Sequence, residues 1–354
     1  MSKTDELTNE ISTKAKEIHT DAYPMSIGEL MSIYRDGELD IHPEFQRFFR
    51  WSQLQKSKFI ESILLGIPIP SIFVSQREDG VWDVVDGVQR LSTIFEFTGI
   101  LRDRDKNTLP HSQLVGTEYL PCLDGMVWQD DANTEISFPN SLRLDFKRQK
   151  LDLKIIKKES DENTKYDLFE RINTLGSKLS DQEVRNCLLV MINPDMYRWL
   201  EELAEYEPFR DTTSLTDRTL LERYDIELIL RFLVLSREEE TALRNVRDVA
   251  DFVTRGMRML ADDRDFNQDF ERSVFEKTFS NIFAVLGPGC FTRVDSGRGR
   301  GGFLISVFEV VAAGLGWQIR RYPDKTIDGE RLKQAYDNVF KHETFREYSK
   351  SGKS

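Results

Sequence analysis

Residues 82–95, Trp-Asp-Val-Val-Asp-Gly-Val-Gln-Arg-Leu-Ser-Thr-Ile-Phe, change their apolar period within a single turn. Up to Val85 the pattern is that of a buried strand. From Leu91, Ile94 and Phe95 onward the apolar residues recur at helical spacing. The change falls on Asp86-Gly87, and glycine at a strand-to-helix turn permits positive φ or close approach of another group. The new helix presents its free N–H groups, the positive end of its dipole and Arg90 to one space, the arrangement that holds an anion, most often phosphate. Asp86, at the strand end, can hold a cation, accept a proton or cap the helix. The rest of the chain reads as a scaffold for this turn.

Before the turn, Leu7 to Ile18 reads as a polar helix, and organised structure begins near Tyr23. Ser26 and Glu29 fit a capping box ahead of Ile27, Leu30, Met31 and Tyr34. Leu39–Ile41 reads as a short strand, and residues 43–51, Pro-Glu-Phe-Gln-Arg-Phe-Phe-Arg-Trp, as an aromatic loop. Ser52 and Gln55 cap a helix burying Phe59, Ile60, Ile63 and Leu64, which Gly66 ends. Pro68 and Pro70 lead into a strand from Ser71 to Ser75, and Arg77 to Gly80 turns it into the strand ending at the bend.

After the helix the pattern weakens from Gly99 to Asn140 into turns and short strands, as in an insertion or lid. Leu151 to Ile156 alternates as a strand, and Tyr166 to Ile172 reads as a helix ending in Asn173-Thr174-Leu175-Gly176. Ser180 and Glu183 cap a helix burying Val184, Leu188 and Met191. Beyond it the chain is nearly all helix: 220–235, 246–259, 275–286, 303–315 and 329–345. The expected class is α+β. A polar helix occupies 1–22, a mixed α/β domain 23–160 and a mainly helical domain 161–354, with the boundary in the charged stretch near 158–163.

A net charge of −12 argues against a non-specific DNA coat held by bulk electrostatics. Local basic patches remain: Arg143, Lys147, Arg148, Lys150, Lys154, Lys157 and Lys158 in one run, Arg293, Arg298 and Arg300 among glycines in another. The first reads foremost as a solvated face, and the second equally as a mobile linker or a phosphate clamp. Cys122, Cys187 and Cys290 are scattered and odd in number, pointing to a reducing compartment without disulfides or zinc. Residues 1–10 lack the apolar core of a secretion signal. The longest apolar run, Phe303 to Trp317, contains Glu309 and is too short to span a bilayer. The expected location is therefore cytoplasmic, with no membrane partner.

Several blocks carry a resemblance when taken together. They are Pro-x-Phe-Gln-Arg-x-x-x-Trp at 43–51, Glu-Ser-Ile-Leu-Leu-Gly-Ile-Pro-Ile-Pro at 61–70, Asp-Gly-Val-Gln-Arg-Leu-Ser-Thr-Ile at 86–94 and Phe-Glu-Arg-Ile-Asn-Thr-Leu-Gly-Ser-Lys-Leu-Ser at 169–180. Their order and spacing resemble the N-terminal domain of GmrSD-type modification-dependent restriction enzymes, which is similar to the ParB and sulfiredoxin fold. The resemblance covers residues 24 to about 190 and extends more loosely over the helical remainder. It implies a domain that binds and hydrolyses nucleoside triphosphates with Mg²⁺ and takes part in restricting foreign DNA.

By position, the resemblance implies that Asp86, Gly87, Gln89 and Arg90 form the nucleotide motif, with Gln46 and Arg47 beside it and Asn173 facing the same cleft. Asp86, Gln89 and Arg90 would be catalytic, and Asp86 would hold the Mg²⁺. Two departures stand out. The usual motif is DGQQR, and Val88 here replaces the first glutamine, removing one amide donor. Larger relatives also carry a His-Asn-His nuclease domain, whereas His19, His42, His111 and His342 form no such constellation. DNA cleavage would then come from a nuclease partner or from this domain itself.

Two other readings stay open: a non-hydrolysing, nucleotide-controlled binding module, and a metal-dependent nuclease. The second would use Asp152-Leu153-Lys154 with Asp131 or Asp145, since such a site needs converging carboxylates and a lysine near the attacking water. That tripeptide is common by chance in so charged a chain. Base preference, sensing of modified DNA and homo-oligomerisation are not legible.

Overall fold

In the computed structural model, residues 3–15, 19–41, 51–103, 105–158, 181–244, 246–294 and 300–341 are described. The chain is α+β and divides into two units, residues 1–179 and 180–354. This division and the boundary expected near 160 both fall within 159–180, outside the described residues. So does the expected helix Tyr166–Ile172.

The first unit runs α1 (Lys3–Ala15), β1 (Thr20–Ser26), α2 (Ile27–Asp36), β2 (Leu39–Asp40), α3 (Gln53–Leu65), β3 (Ile72–Gln76), β4 (Trp82–Asp86), α4 (Val88–Phe97), α5 (Asn140–Arg148) and β5 (Lys150–Ile156). The caps are those the sequence announces. Ser26 Oγ accepts from the Glu29 N–H at 3.2 Å, and Ser52 and Gln55 form a reciprocal capping box, devices worth about 1 kcal/mol each. The five strands lie in the order β1-β5-β3-β4-β2. β1 runs antiparallel to β5 and β3 antiparallel to β4, whereas β3–β5 and β2–β4 are parallel. A register shift between Phe73 and Val74 places Asp86 opposite Phe73 at the end of the ladder. The sheet therefore stops where α4 begins.

Behind the sheet, Ile60, Ile72, Val74, Val84, Leu91, Ile94, Phe95 and Leu153 are fully buried. The stretch expected as an insertion or lid, Gly99 to Asn140, anchors aromatic side chains in the first unit. Trp128 and Phe138 are buried there, and Phe97 makes edge contacts with them at ring centroid distances of 5.6 and 5.0 Å. Phe146 of α5 closes the cluster, 5.5 Å from Trp128.

Glu61, a buried carboxylate on α3, fastens this segment. It accepts the Thr117 hydroxyl and the backbone N–H groups of Tyr119 (3.2 Å) and Leu120 (2.9 Å). Hydrogen bonds to an ionised acceptor are roughly twice as strong as neutral ones. Glu61→Gln keeps the shape but loses the charge. It is expected to cost about 1–2 kcal/mol in chemical denaturation and to speed amide exchange at Tyr119 and Leu120.

The second unit comprises α6 (Asp181–Ile192), α7 (Pro194–Ala204), α8 (Glu207–Thr213), α9 (Asp217–Leu221), α10 (Tyr224–Leu235), α11 (Glu240–Leu243), α12 (Val249–Asp262), α13 (Gln268–Leu286), β6 (Thr292–Val294), β7 (Arg300–Phe303), α14 (Ile305–Arg321) and α15 (Gly329–Val339). The helix expected over 220–235 is broken at Arg223, which adopts φ 58°. Its guanidinium is held by Glu201 at 2.9 Å and by Asp225 at 3.7 Å. Arg293 and Arg300 lie in β6 and β7, which pair antiparallel, whereas Arg298 falls within 295–299, outside the described residues.

α10 is the central helix, packed against α6, α7, α12 and α14. Phe232 on it lies 5.5 Å from both Phe275 and Phe279 of α13. Among the described residues no helix is long and apolar enough to cross a membrane.

Candidate functional site

The bend at residue 87 follows from its surroundings. Gly87 caps α4 at φ 103° and ψ 11°, a left-handed conformation that side chains rarely tolerate. A Cβ there would run into Ile72 Cδ1 and lie 3.3 Å from Arg90 Nη2. Only glycine lets the strand end, the buried Ile72 and the arginine share this space. Having no side chain, Gly87 also leaves the first turn of α4 without a side-chain cap. Those N–H groups are the donors an anion needs.

Arg90 crosses back over the turn. Its Nη2 donates to Asp86 Oδ2 at 2.7 Å, and its Nη1 donates to the carbonyls of Pro70 and, at 3.2 Å, Ser71. The Arg90 side chain is 11% exposed and that of Asp86 37%. One edge of the guanidinium is thus held by backbone, and the other faces a carboxylate within reach of solvent.

Gln89 Oε1 accepts the backbone N–H of Trp51 at 3.2 Å. This leaves the NH₂ end of the amide to donate, and it ties Trp51 to the turn. Trp51 also packs edge-on to Phe59 of α3, with centroids 5.4 Å apart. Val88 is buried, so the departure from the usual glutamine falls on a packed side chain.

Asp86, Gly87, Gln89 and Arg90 therefore meet at one turn. Gln46, Arg47 and Asn173 lie in 42–50 and 159–180, outside the described residues. The Pro70 and Ser71 carbonyls, Ile72 and the Trp51 N–H were not foreseen as parts of the site. Pro68-Ile69-Pro70 is the signal that could have pointed to the carbonyls, because two prolines stiffen the segment that supplies them.

The alternative nuclease residues Asp131, Asp145, Asp152 and Lys154 are all exposed. Asp152 and Lys154 are on β5, Lys154 lies 5.6 Å above the Phe73 ring, and Asp145 pairs with Arg148 at 3.8 Å. Among the described residues no three His, Cys, Asp or Glu side chains are grouped to hold a metal ion. At the turn itself the donor set fits a metal–nucleotide: a carboxylate for a hard cation, and a guanidinium with uncapped N–H groups for phosphate.

No curated protein and no solved structure matches the chain. Residues 27–190 match the family described as GmrSD restriction endonuclease, N-terminal domain. The match begins at the first residue of α2, contains the whole turn, and ends two residues before the end of α6. Over residues 27–190, somewhat under half of its length, the chain is similar to the N-terminal domain of GmrSD restriction endonucleases.

Proposed function

We propose that the first unit binds a nucleoside triphosphate with Mg²⁺ at the Asp86–Arg90 turn, hydrolyses it, and serves in restriction of foreign DNA with cleavage supplied by a nuclease partner. The observation that carries this reading is the coincidence of the family match with a glycine-capped helix start where a guanidinium and a carboxylate meet. When bound, the metal would neutralise charge on the phosphates and the nucleotide would supply the bond to be broken. Arg90 holds phosphate charge through its Nη2 edge while Pro70 and Ser71 fix its other edge. Asp86 offers a carboxylate for the cation, and Gln89 donates its NH₂ to a phosphate oxygen or to the attacking water. Positioning and charge neutralisation then supply most of the acceleration.

The test is phosphate release and binding of a fluorescent, non-hydrolysable triphosphate by the full chain, for wild type, Gln89→Ala and Arg90→Ala. Gln89→Ala is expected to lower release on the order of 10²-fold, the usual cost of one positioned donor, with little change in binding. Arg90→Ala is expected to lose binding as well, provided that its melting curve shows a folded protein. Equal binding and release in all three would reject the site. Binding without release in the wild type would instead assign a non-hydrolysing regulatory module.

A further inference from the structure

We infer that the Asp86–Arg90 ion pair is a latch that couples metal and phosphate occupancy, so that each ligand is held well only when the other is present. This rests on the reading of the turn as a triphosphate site, and it concerns how that site is controlled. The guanidinium is not free to leave: Nη1 is held by the Pro70 and Ser71 carbonyls, and Gly87 keeps clear the space beside Nη2, where a Cβ would lie 3.3 Å away. The Nη2 edge is the one that faces a side chain and not the backbone, and Asp86 occupies it at 2.7 Å.

A polyphosphate arriving alone must approach a carboxylate that already neutralises Arg90. A cation arriving alone must approach an arginine that already neutralises Asp86. In either case one unit charge is left without its partner in a half-buried setting, where screening is weak. When both arrive, the cation takes the carboxylate and the phosphate takes the freed Nη2 edge. Each charge exchanges one opposite partner for another, and the backbone clamp keeps Arg90 in place throughout.

Such coupling is reciprocal: the factor by which Mg²⁺ raises nucleotide affinity equals the factor by which nucleotide raises Mg²⁺ affinity. Here that factor is expected to be on the order of 10–100-fold. The informative case is nucleotide without metal, because there the latch only obstructs.

The experiment is calorimetric titration of a non-hydrolysable triphosphate into the full chain, in Mg²⁺ and in EDTA, for wild type and Asp86→Asn. Asp86→Ala serves as a second variant that removes the same charge. Wild type should bind roughly 10–100-fold more weakly in EDTA. Asp86→Asn should bind in EDTA about tenfold more tightly than wild type in EDTA, with its metal dependence largely gone. The latch is overturned if both folded variants bind metal-free nucleotide no more tightly than wild type while wild type binds the metal complex. No binding by wild type in either buffer overturns the triphosphate reading itself, and the latch with it.

Discussion

Replacing Glu227 by alanine is expected to cost the second unit about 3–5 kcal/mol, the range for removing one partner of a buried ion pair. Glu227 on α10 is 1% exposed and Arg185 on α6 is 3% exposed. Arg185 donates to both carboxylate oxygens, Nε at 2.9 Å and Nη2 at 2.6 Å, and Arg231 adds a third donor at 2.7 Å. Without the carboxylate, Arg185 keeps, among the described residues, the Ala250 carbonyl and the Thr254 hydroxyl, each at 3.3 Å. Arg231 fares better because it also pairs with Glu309. In a unit of this size each kcal/mol moves the midpoint by roughly 2–4 °C, so the melting transition should fall on the order of 10 °C. The double variant Arg185→Met/Glu227→Leu removes both charges and fills the space, and should recover most of the loss. A Glu227→Ala loss below about 1 kcal/mol would mean that water reaches Arg185 and that the pair is not buried in solution.

Arg185 also shows where sequence and structure divide the chain differently. The family match runs to residue 190, yet α6 belongs to the second unit, and its residues 184–190 are buried there. A domain defined by sequence thus ends on a helix anchored in the other unit by Arg185. A fragment cut near 190 would keep α6 without α10 and expose that apolar face. Experiments on the turn therefore use the full chain.

What was legible in the sequence was local. The strand, Gly87 and the helix after it can be read because the apolar period changes within one residue, and because serines and glycines mark the ends of α2 and α3. Elements with weak periodicity escaped. β1 carries Pro24, its first five residues are exposed, and it pairs on one side only, so it shows no alternation. α5 buries only Phe146 of its nine residues. The break at Arg223 is silent because apolar residues continue on both sides of it, and the arginine is held in its left-handed conformation by Asp225 and by Glu201 of α7. Gly99 to Asn140 reads only as an insertion or lid because Trp128 and Phe138, its anchors, meet Phe97 after folding. The site divides in the same way. Asp86, Gly87, Gln89 and Arg90 are neighbours in sequence, whereas the carbonyl clamp from Pro70 and Ser71 is a tertiary contact across some twenty residues.

Gly87→Ala should be the most damaging single substitution in the first unit, through two separable effects. The first is backbone strain: at φ 103° a Cβ is poorly tolerated, and such strain costs on the order of 1–3 kcal/mol. The second is overpacking. The new methyl meets Ile72 Cδ1 and Cγ2, and because Ile72 is fully buried its displacement disturbs the packed core, which adds about 1–3 kcal/mol. The methyl also lies 3.3 Å from Arg90 Nη2, so any relief by movement displaces the guanidinium from Asp86. Stability and triphosphate affinity should therefore fall together. Ile72→Val separates the effects, because it removes Cδ1 at a cost of about 0.5–1.5 kcal/mol on its own. In Gly87→Ala/Ile72→Val the overpacking should largely vanish while the strain remains, giving a coupling of about 1–2 kcal/mol in a double-mutant cycle. Strict additivity would place the whole cost in the backbone. A Gly87→Ala protein with wild-type stability would show that the left-handed bend is not the conformation the turn adopts in solution.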